Sequence, residues 1–391
     1  MSTPNGAEQP SASRPPVGPG AVVMMRDPAA ASELAARSGD GMARCALVLL
    51  VLLTLAGCGD GTRQPGPPAT TLATPQAQPL PTIPPRAASA AATLLAHEAV
   101  AFVGSADTSV YSGANGLVAG ELQELVARQG GPAPFILASA DAPAEVENLT
   151  EAAQRSQVVL ALGSDMAAAL DSAAKAHPTR HFVLIDAPSS GRPLASNVHW
   201  LRFDLPQGAY LAGVLAAGIS RGHRVGFVGG QDGPPQRALL NAYAAGAQLD
   251  GPPTQVLGRF AAGDADQVTA KRVAQDLLAA GADVIFGGTL VDSLGVLAAT
   301  SQARGLAIGL ARDAYDIAPN SVVSSVEERA DVAAAVALQH EAQGWPGPIL
   351  VLGVPDGAIT LAPYRRFASL VSPSLLARIA AAAQSIARCR C

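Results

Sequence analysis

The sequence predicts an α/β protein built from two doubly wound lobes, with a cleft between them. Two observations predict this fold. Short, nearly continuous apolar runs recur between residues 99 and 353, and most of them are separated by about 12 to 20 residues with helical spacing. Apolar strands that alternate with helices are typical of parallel sheets covered by helices on both faces.

The apolar runs predict the strands. They lie at residues 99–104, 134–140, 158–163, 181–187, 199–204, 224–230, 254–260, 283–288, 306–311, 321–327 and 348–353. Eleven strands are many for one sheet in about 275 residues, so we expect two sheets.

The two lobes are expected to share residues 96–371. We assign about 96–204 and 322–345 to the first lobe, and about 205–321 and 346–371 to the second. A hinge is expected near residues 204–206, because Pro206 suits the first turn of a helix that follows a strand. Residues 372–391 are expected to form a C-terminal helix and tail.

Residues 1–57 are predicted to be an N-terminal extension followed by an export signal. From Met42 the chain carries one Arg, an apolar run at residues 45–55 and then small residues, which is the pattern of a signal peptide. The apolar run is shorter than the roughly 20 residues of a membrane-spanning helix. We expect translation to start at Met42, with Met24 or Met25 as alternatives.

A lipid anchor is predicted at Cys58. The sequence Leu55-Ala56-Gly57-Cys58 resembles the bacterial lipobox, in which the Cys is acylated and the chain is cut just before it. Residues 58–95 are rich in Pro and Thr and hold few bulky side chains, so we expect a disordered stalk. The folded part should therefore lie at the extracytoplasmic face of a membrane.

Composition excludes several other classes of protein. The net charge is −5, with no basic run that would suit nucleic acid. Cysteines occur only at positions 45, 58, 389 and 391, and no His or Cys spacing fits a metal. We expect a monomer with no cofactor, no metal and no catalytic residue.

The loops that follow the strands are the expected ligand-binding positions. In open α/β sheets ligands bind beyond the carboxyl ends of the strands. Asp107, Tyr111, Asp186 and Asp313 lie at or just beyond such ends, and we expect them to face the cleft. Gly230 follows another strand, where a small residue lets a ligand approach the backbone. These residues predict a small polar ligand.

Residues 203–247 contain the strings QGAYLAG and GFVGG and a Pro-containing helical segment that ends in Tyr-Ala-Ala-Gly. This stretch resembles the basic membrane protein family of substrate-binding lipoproteins. The strings GADVIFGG, LAIGLARD and SSVEERADVA continue the similarity in order. The resemblance implies a type I periplasmic-binding-protein fold, a permease of an ABC importer as partner, and a purine nucleoside as ligand.

The nucleoside-contacting pattern that the resemblance implies is only partly kept. Asp107, Ser109 and Tyr111 stand in the family's Asp-x-Ser-Phe-Asn segment, without its Phe. Leu239 replaces an aromatic residue, Ala311 replaces the first of two Asp residues while Asp313 keeps the second, and Glu328 replaces a Lys. The Gly-rich turn becomes residues 289–293, which include Asp292. Loss of stacking rings predicts weaker binding of a nucleoside.

Three interpretations remain open from the sequence. The first is a receptor that captures a solute for an ABC importer. The second is a surface sensor or regulator of the same fold without a transporter. The third is a degenerate member that binds no small molecule.

Replacing Cys58 by Ser removes the thiol that acylation requires. We expect the variant to leave the membrane fraction or to accumulate uncleaved, since several acyl chains are needed for stable anchoring. Fractionation and intact mass measure this outcome, with Cys45→Ser as the matched control. Normal cleavage together with membrane retention in Cys58→Ser would contradict the anchor.

Overall fold

A computed structural model describes residues 23–24, 99–106, 108–188, 191, 195–261 and 267–388. The predicted signal peptide, Cys58 and the stalk therefore lie outside the described residues. Within them, no helix is both long and apolar enough to cross a bilayer.

The elements alternate along the chain as the sequence predicts. The strands are β1 (Val23–Met24), β2 (Val100–Gly104), β3 (Phe135–Ala138), β4 (Val158–Leu162), β5 (His181–Ile185), β6 (Val198–Phe203), β7 (Arg224–Gly229), β8 (Gln255–Phe260), β9 (Val284–Gly287), β10 (Leu306–Ala311), β11 (Val322–Glu328), β12 (Ile349–Leu352) and β13 (Ile359–Leu361). The helices are α1 (Thr108–Gln129), α2 (Ala142–Arg155), α3 (Ala167–Ala176), α4 (Leu205–Ile219), α5 (Pro234–Ala247), α6 (Gln267–Ala279), α7 (Leu290–Ala303), α8 (Ala330–Gln343) and α9 (Pro373–Arg388).

The strands form two sheets, which confirms the predicted fold class. One sheet has the order β12-β6-β5-β4-β2-β3 and the other β1-β8-β7-β9-β10-β11-β13. The pairs are parallel, except that β13 runs antiparallel to β11. Strands β1 and β13 have no counterpart among the predicted runs, because each is too short to give a periodic signal.

Helices cover both faces of each sheet. In the first lobe, α1 and α8 pack on one face and α2 and α3 on the other. In the second lobe, α4, α5 and α9 pack on one face and α6 and α7 on the other. Strand residues are therefore buried on both sides, which explains the nearly continuous apolar runs.

Strand pairing corrects two of the predicted lobe boundaries. The sequence pattern assigns residues 322–328 to the first lobe, but β11 pairs with β10 in the second sheet. It assigns residues 349–352 to the second lobe, but β12 pairs with β6 in the first sheet. Between β2 and β13 the chain thus passes between the sheets three times, after β6, after β11 and after β12. Apolar strands look alike in sequence whichever sheet they join, so the pattern could not place these crossings.

Helices α4 and α5 meet at two glycines. A Cβ atom at Gly213 would overlap the carbonyl oxygen of Tyr243, and one at Gly246 would overlap that of Tyr210. Both neighbours are backbone atoms, which cannot rotate away as a side chain can. The close approach of these helices therefore requires glycine at both positions.

Gly213→Ala is expected to lower the free energy of unfolding by about 2 kcal/mol or more, because overpacking against backbone outweighs the higher helix propensity of alanine. Urea unfolding measures the change. Gly116→Ala is the matched control, since Gly116 lies in α1 and a Cβ atom there would meet nothing within 4 Å. It should change stability by no more than about 1 kcal/mol, in the stabilising direction. Equal losses in both variants would contradict the packing argument.

Candidate functional site

The loops after β2 and β4 are joined at the edge of the first lobe. Ser105 Oγ donates to Asp165 Oδ2 at 2.7 Å, and the amide of Ala106 donates to Glu145 Oε1 at 2.9 Å. Asn115 Nδ2 donates to the carbonyl of Ser105 at 3.0 Å. Glu145 is only 4% exposed. These bonds fix a row of polar groups at the carboxyl end of the sheet.

Two carboxylates approach each other where β5 and β11 end. Asp186 follows β5 with a left-handed φ of 58°, and Glu328 is the last residue of β11. Burial and the negative charge of Asp186 together raise the pKa of Glu328 well above its ordinary value. The cause is physical: a carboxylate that loses water and faces a second carboxylate is less stable than the neutral acid. Two predicted site residues are thus brought together, 142 positions apart in the sequence.

A cavity of about 450 Å³ lies beside Asp186, at the first crossing between the sheets. Its polar lining comes from Ser164, Asp186, Arg202 and Asp204. Arg202 donates from Nη2 to the carbonyl of Gly191 at 2.7 Å, and its guanidinium lies 5.4 Å from the centroid of the Trp200 ring. The cavity therefore mixes both signs of charge with hydroxyl and carbonyl groups, which suits a small polar molecule.

Gln236 joins two loops at the edge of the second lobe. Its Oε1 accepts from the amide of Gly230 at 3.2 Å, and its Nε2 donates to the carbonyl of Gly288 at 3.1 Å. A Cβ atom at Gly288 would lie 2.6 Å from Phe227 Cζ, so that loop is held against the core. The amide of Gly230, a predicted ligand contact, already has a partner within the protein.

Asp313 is held by a cation that the sequence analysis did not assign. Its Oδ1 accepts from the amide of Tyr315 at 3.0 Å, and its Oδ2 pairs with Arg365. The guanidinium of Arg365 also lies 4.8 Å from the centroid of the Tyr315 ring. Arg365 is 52 residues away, so no local pattern predicts the pair.

The structure places the other candidates less directly. Asp107 and Cys58 lie outside the described residues, and so do the side chains of Ser109 and Tyr111 on α1 and of Asp292 on α7. Leu239 is 4% exposed and packs in the core of the second lobe, which argues against contact with a ligand. Packing against apolar neighbours is sufficient to explain why position 239 is a leucine, without any role in binding.

Several polar residues of the site escaped the sequence analysis. They are Glu145, Asn115, Gln236 and Arg365. Glu145, Asn115 and Gln236 lie in helices, where polar residues are common on solvated faces, and Arg365 begins a short 3₁₀ turn after β13, so nothing local marks them. The loops at residues 104–107 and 163–165 are indicated by their place after strands, although no local pattern indicates the bond between Ser105 and Asp165. Among the described residues, no group of three or more His, Cys, Asp or Glu side chains could hold a metal ion.

Comparison with known proteins identifies the family. A family model described as ABC transporter substrate-binding protein, PnrA-like, matches residues 109–376, which is more than half of the chain. Basic membrane protein A of Borreliella burgdorferi is 27% identical over 187 residues, which are 46% of this chain and 53% of that protein. The ABC transporter nucleoside-binding protein BmpA of Lactococcus lactis is 28% identical over 130 residues, which are 33% of this chain and 36% of that protein.

The chain spans about half the length of the curated relatives it matches, or less. Solved structures are similar over a larger share. A solute-binding protein of an ABC transporter from Conexibacter woesei superposes with a TM-score of 0.58 and 19% identity, over 75% of this chain and 97% of that one. A transcriptional activator of the comK gene from Bacillus halodurans superposes with a TM-score of 0.59 and 18% identity, over 73% of this chain and 96% of that one.

These structural similarities establish the fold, and the family model establishes the family. The match begins in α1 and ends in α9, so it includes strands β3 to β13 and the crossings after β6, β11 and β12. This protein belongs to the family of PnrA-like substrate-binding proteins of ABC transporters.

Proposed function

We propose that the protein captures a small polar solute between its lobes and delivers it to the permease of an ABC importer. The observation that carries this proposal is the family match over residues 109–376. The fold supports it, because polar groups stand at the carboxyl ends of both sheets, where ligands of such folds bind. The family is one of binding proteins, and the prediction that the chain is not an enzyme is confirmed.

Capture would follow the usual behaviour of two-lobed binding proteins. The lobes turn about the connecting segments and close on the solute, which loses its contact with water. We propose that a lipid on Cys58 holds the protein at the extracytoplasmic face of the membrane. A tethered receptor stays close to its permease, which raises the effective concentration of the pair.

The proposed solute class is neutral or cationic and rich in hydroxyl or amine groups. Among the described residues, Asp186 and Asp204 outnumber the one cation of the cavity, Arg202, which disfavours an anion. Arg365 is already paired with Asp313. Nucleosides belong to this class, and the relative from Lactococcus lactis is named a nucleoside-binding protein. Val110 and Glu328 stand where the family resemblance implies a Phe and a Lys, so a nucleoside would lack two favourable contacts.

A thermal-shift screen of the purified protein against nucleosides, sugars and amino acids tests this proposal. A solute at 100 times its Kd should stabilise the fold by about 2.7 kcal/mol, which raises the melting temperature by several degrees. Sugar phosphates serve as the anionic control and should give no shift. A panel without any stabilising compound would contradict the proposal and favour a member that binds no small molecule.

Within that panel, adenosine, guanosine and inosine are expected to bind weakly, with a Kd above about 1 μM. The lost ring stacking is worth about 0.5 to 1.5 kcal/mol for each aromatic residue. Calorimetric titration measures these constants directly. A submicromolar Kd, equivalent to a binding free energy beyond about −8.2 kcal/mol, would show that the altered residues still make a good nucleoside site.

Glu328→Gln is expected to raise the free energy of unfolding at pH 7.5 by roughly 1 kcal/mol or more. The raised pKa of Glu328 means that the folded state favours the neutral acid. Near pH 4 the group is mostly protonated in both states, so the variant gains little; as pH rises, the ionised carboxylate destabilises only the parent protein.

Urea unfolding between pH 4 and pH 8 measures this difference. Glu147→Gln is the control, because Glu147 is exposed on α2 and should give the same curve as the parent protein. A Glu328→Gln curve parallel to that of the parent protein at every pH would rule out a strained carboxylate pair.

A further inference from the structure

The three crossings between the sheets lie close together and are bonded to one another. The first is at Asp204, between β6 and α4, and the second is at Arg329, between β11 and α8. The third is the segment 353–358, between β12 and β13. Any motion of one lobe against the other must change the backbone at these three places.

The side-chain amide of Gln207 joins the first crossing to the third. Its Nε2 donates to Asp204 Oδ2 at 2.7 Å, and its Oε1 accepts from the amide of Val354 at 2.8 Å. A Cβ atom at Gly353 would overlap the amide of Gln207. Glycine at position 353 thus leaves the space that the Gln207 side chain occupies.

The third crossing is itself a tight turn and is also bonded to the second crossing. The amide of Gly353 donates to Asp356 Oδ2 at 2.7 Å, and Gly357 takes a left-handed φ of 72°. The carbonyl of Ala358 accepts from the amide of Arg329 at 2.9 Å. The segment 353–358 therefore links all three crossings.

We propose that Gln207 sets the resting angle between the lobes through its bonds to Asp204 and to the amide of Val354. We call this pair of bonds the clasp. A carboxamide is suited to this place because it supplies one donor for a carboxylate and one acceptor for a backbone amide. A carboxylate would keep the acceptor and repel Asp204, and an aliphatic side chain would lose both bonds. Gln207 acts through the crossings and is a positioning residue. The inference rests on the proposed function only in that a solute-binding protein uses lobe motion.

Water can take over the bonds of the clasp when the side chain is changed. Gln207 and Asp204 line a second cavity of about 730 Å³, together with Tyr210, Val351 and Ile386. A variant is then expected to fold with a looser hinge, because the freed polar groups are hydrated rather than buried without partners.

Hydrogen exchange of the solute-free protein tests the clasp. In Gln207→Leu the amide of Val354 should exchange about tenfold faster than in the parent protein, because the bond that this amide donates to Gln207 Oε1 is lost at a site already near water. Gln207→Glu should give a smaller increase, since its carboxylate still accepts from Val354. Gln339→Leu is the control, because Gln339 bonds to Gln343 one turn along α8, in an exposed pair, and it should change nothing.

Small-angle scattering measures the radius of gyration, which a change confined to the residues around Gln207 would leave unaltered. The radius of gyration of Gln207→Leu should exceed that of the parent protein and of Gln339→Leu, with unfolding midpoints that confirm a folded chain. Unchanged scattering, or equal exchange rates in the leucine and glutamate variants, would overturn the clasp. Because no solute is present, these outcomes are independent of the screen that tests the proposed function.

Discussion

Burial of two parallel sheets on both faces is the constraint on which the rest of the structure depends. A parallel strand inside such a sheet has no solvated side, so its residues must be apolar and each face needs a layer of helices. The helices then cover the faces and leave the strand ends as the places where polar side chains collect. The row formed by Ser105, Asp165 and Glu145 lies at such an end.

The second lobe meets this constraint with very little space between its helices. α4 and α5 touch through backbone atoms at Gly213 and Gly246, and α9 covers α4 with Leu375 against Gly218. Rigid layers of this kind cannot absorb a change of shape within a lobe. Any motion between the lobes is therefore expected in the connecting segments, where Gln207 and Arg329 bond to the third crossing.

Charge is balanced at one carboxylate of the site and unbalanced at two others. Asp313 is neutralised by Arg365 within the second lobe, whereas Asp186 and Glu328 approach each other and the pKa of Glu328 rises as a result. A carboxylate pair costs stability unless a proton or a donor group from elsewhere relieves it.

The sequence by itself determined the fold class and the places of the long strands, because strands buried on both faces of a sheet appear in the sequence as nearly continuous apolar runs. It also determined the loops at which polar groups should be sought. The assignment of β11 and β12 to their sheets was decided by the tertiary structure, since pairing partners leave no mark on a strand's own residues. The same holds for the pair of Asp186 with Glu328, the neutralisation of Asp313 and the clasp of Gln207. Each joins groups far apart in the chain, and only the folded backbone brings such groups within the few ångströms over which hydrogen bonds and charges act.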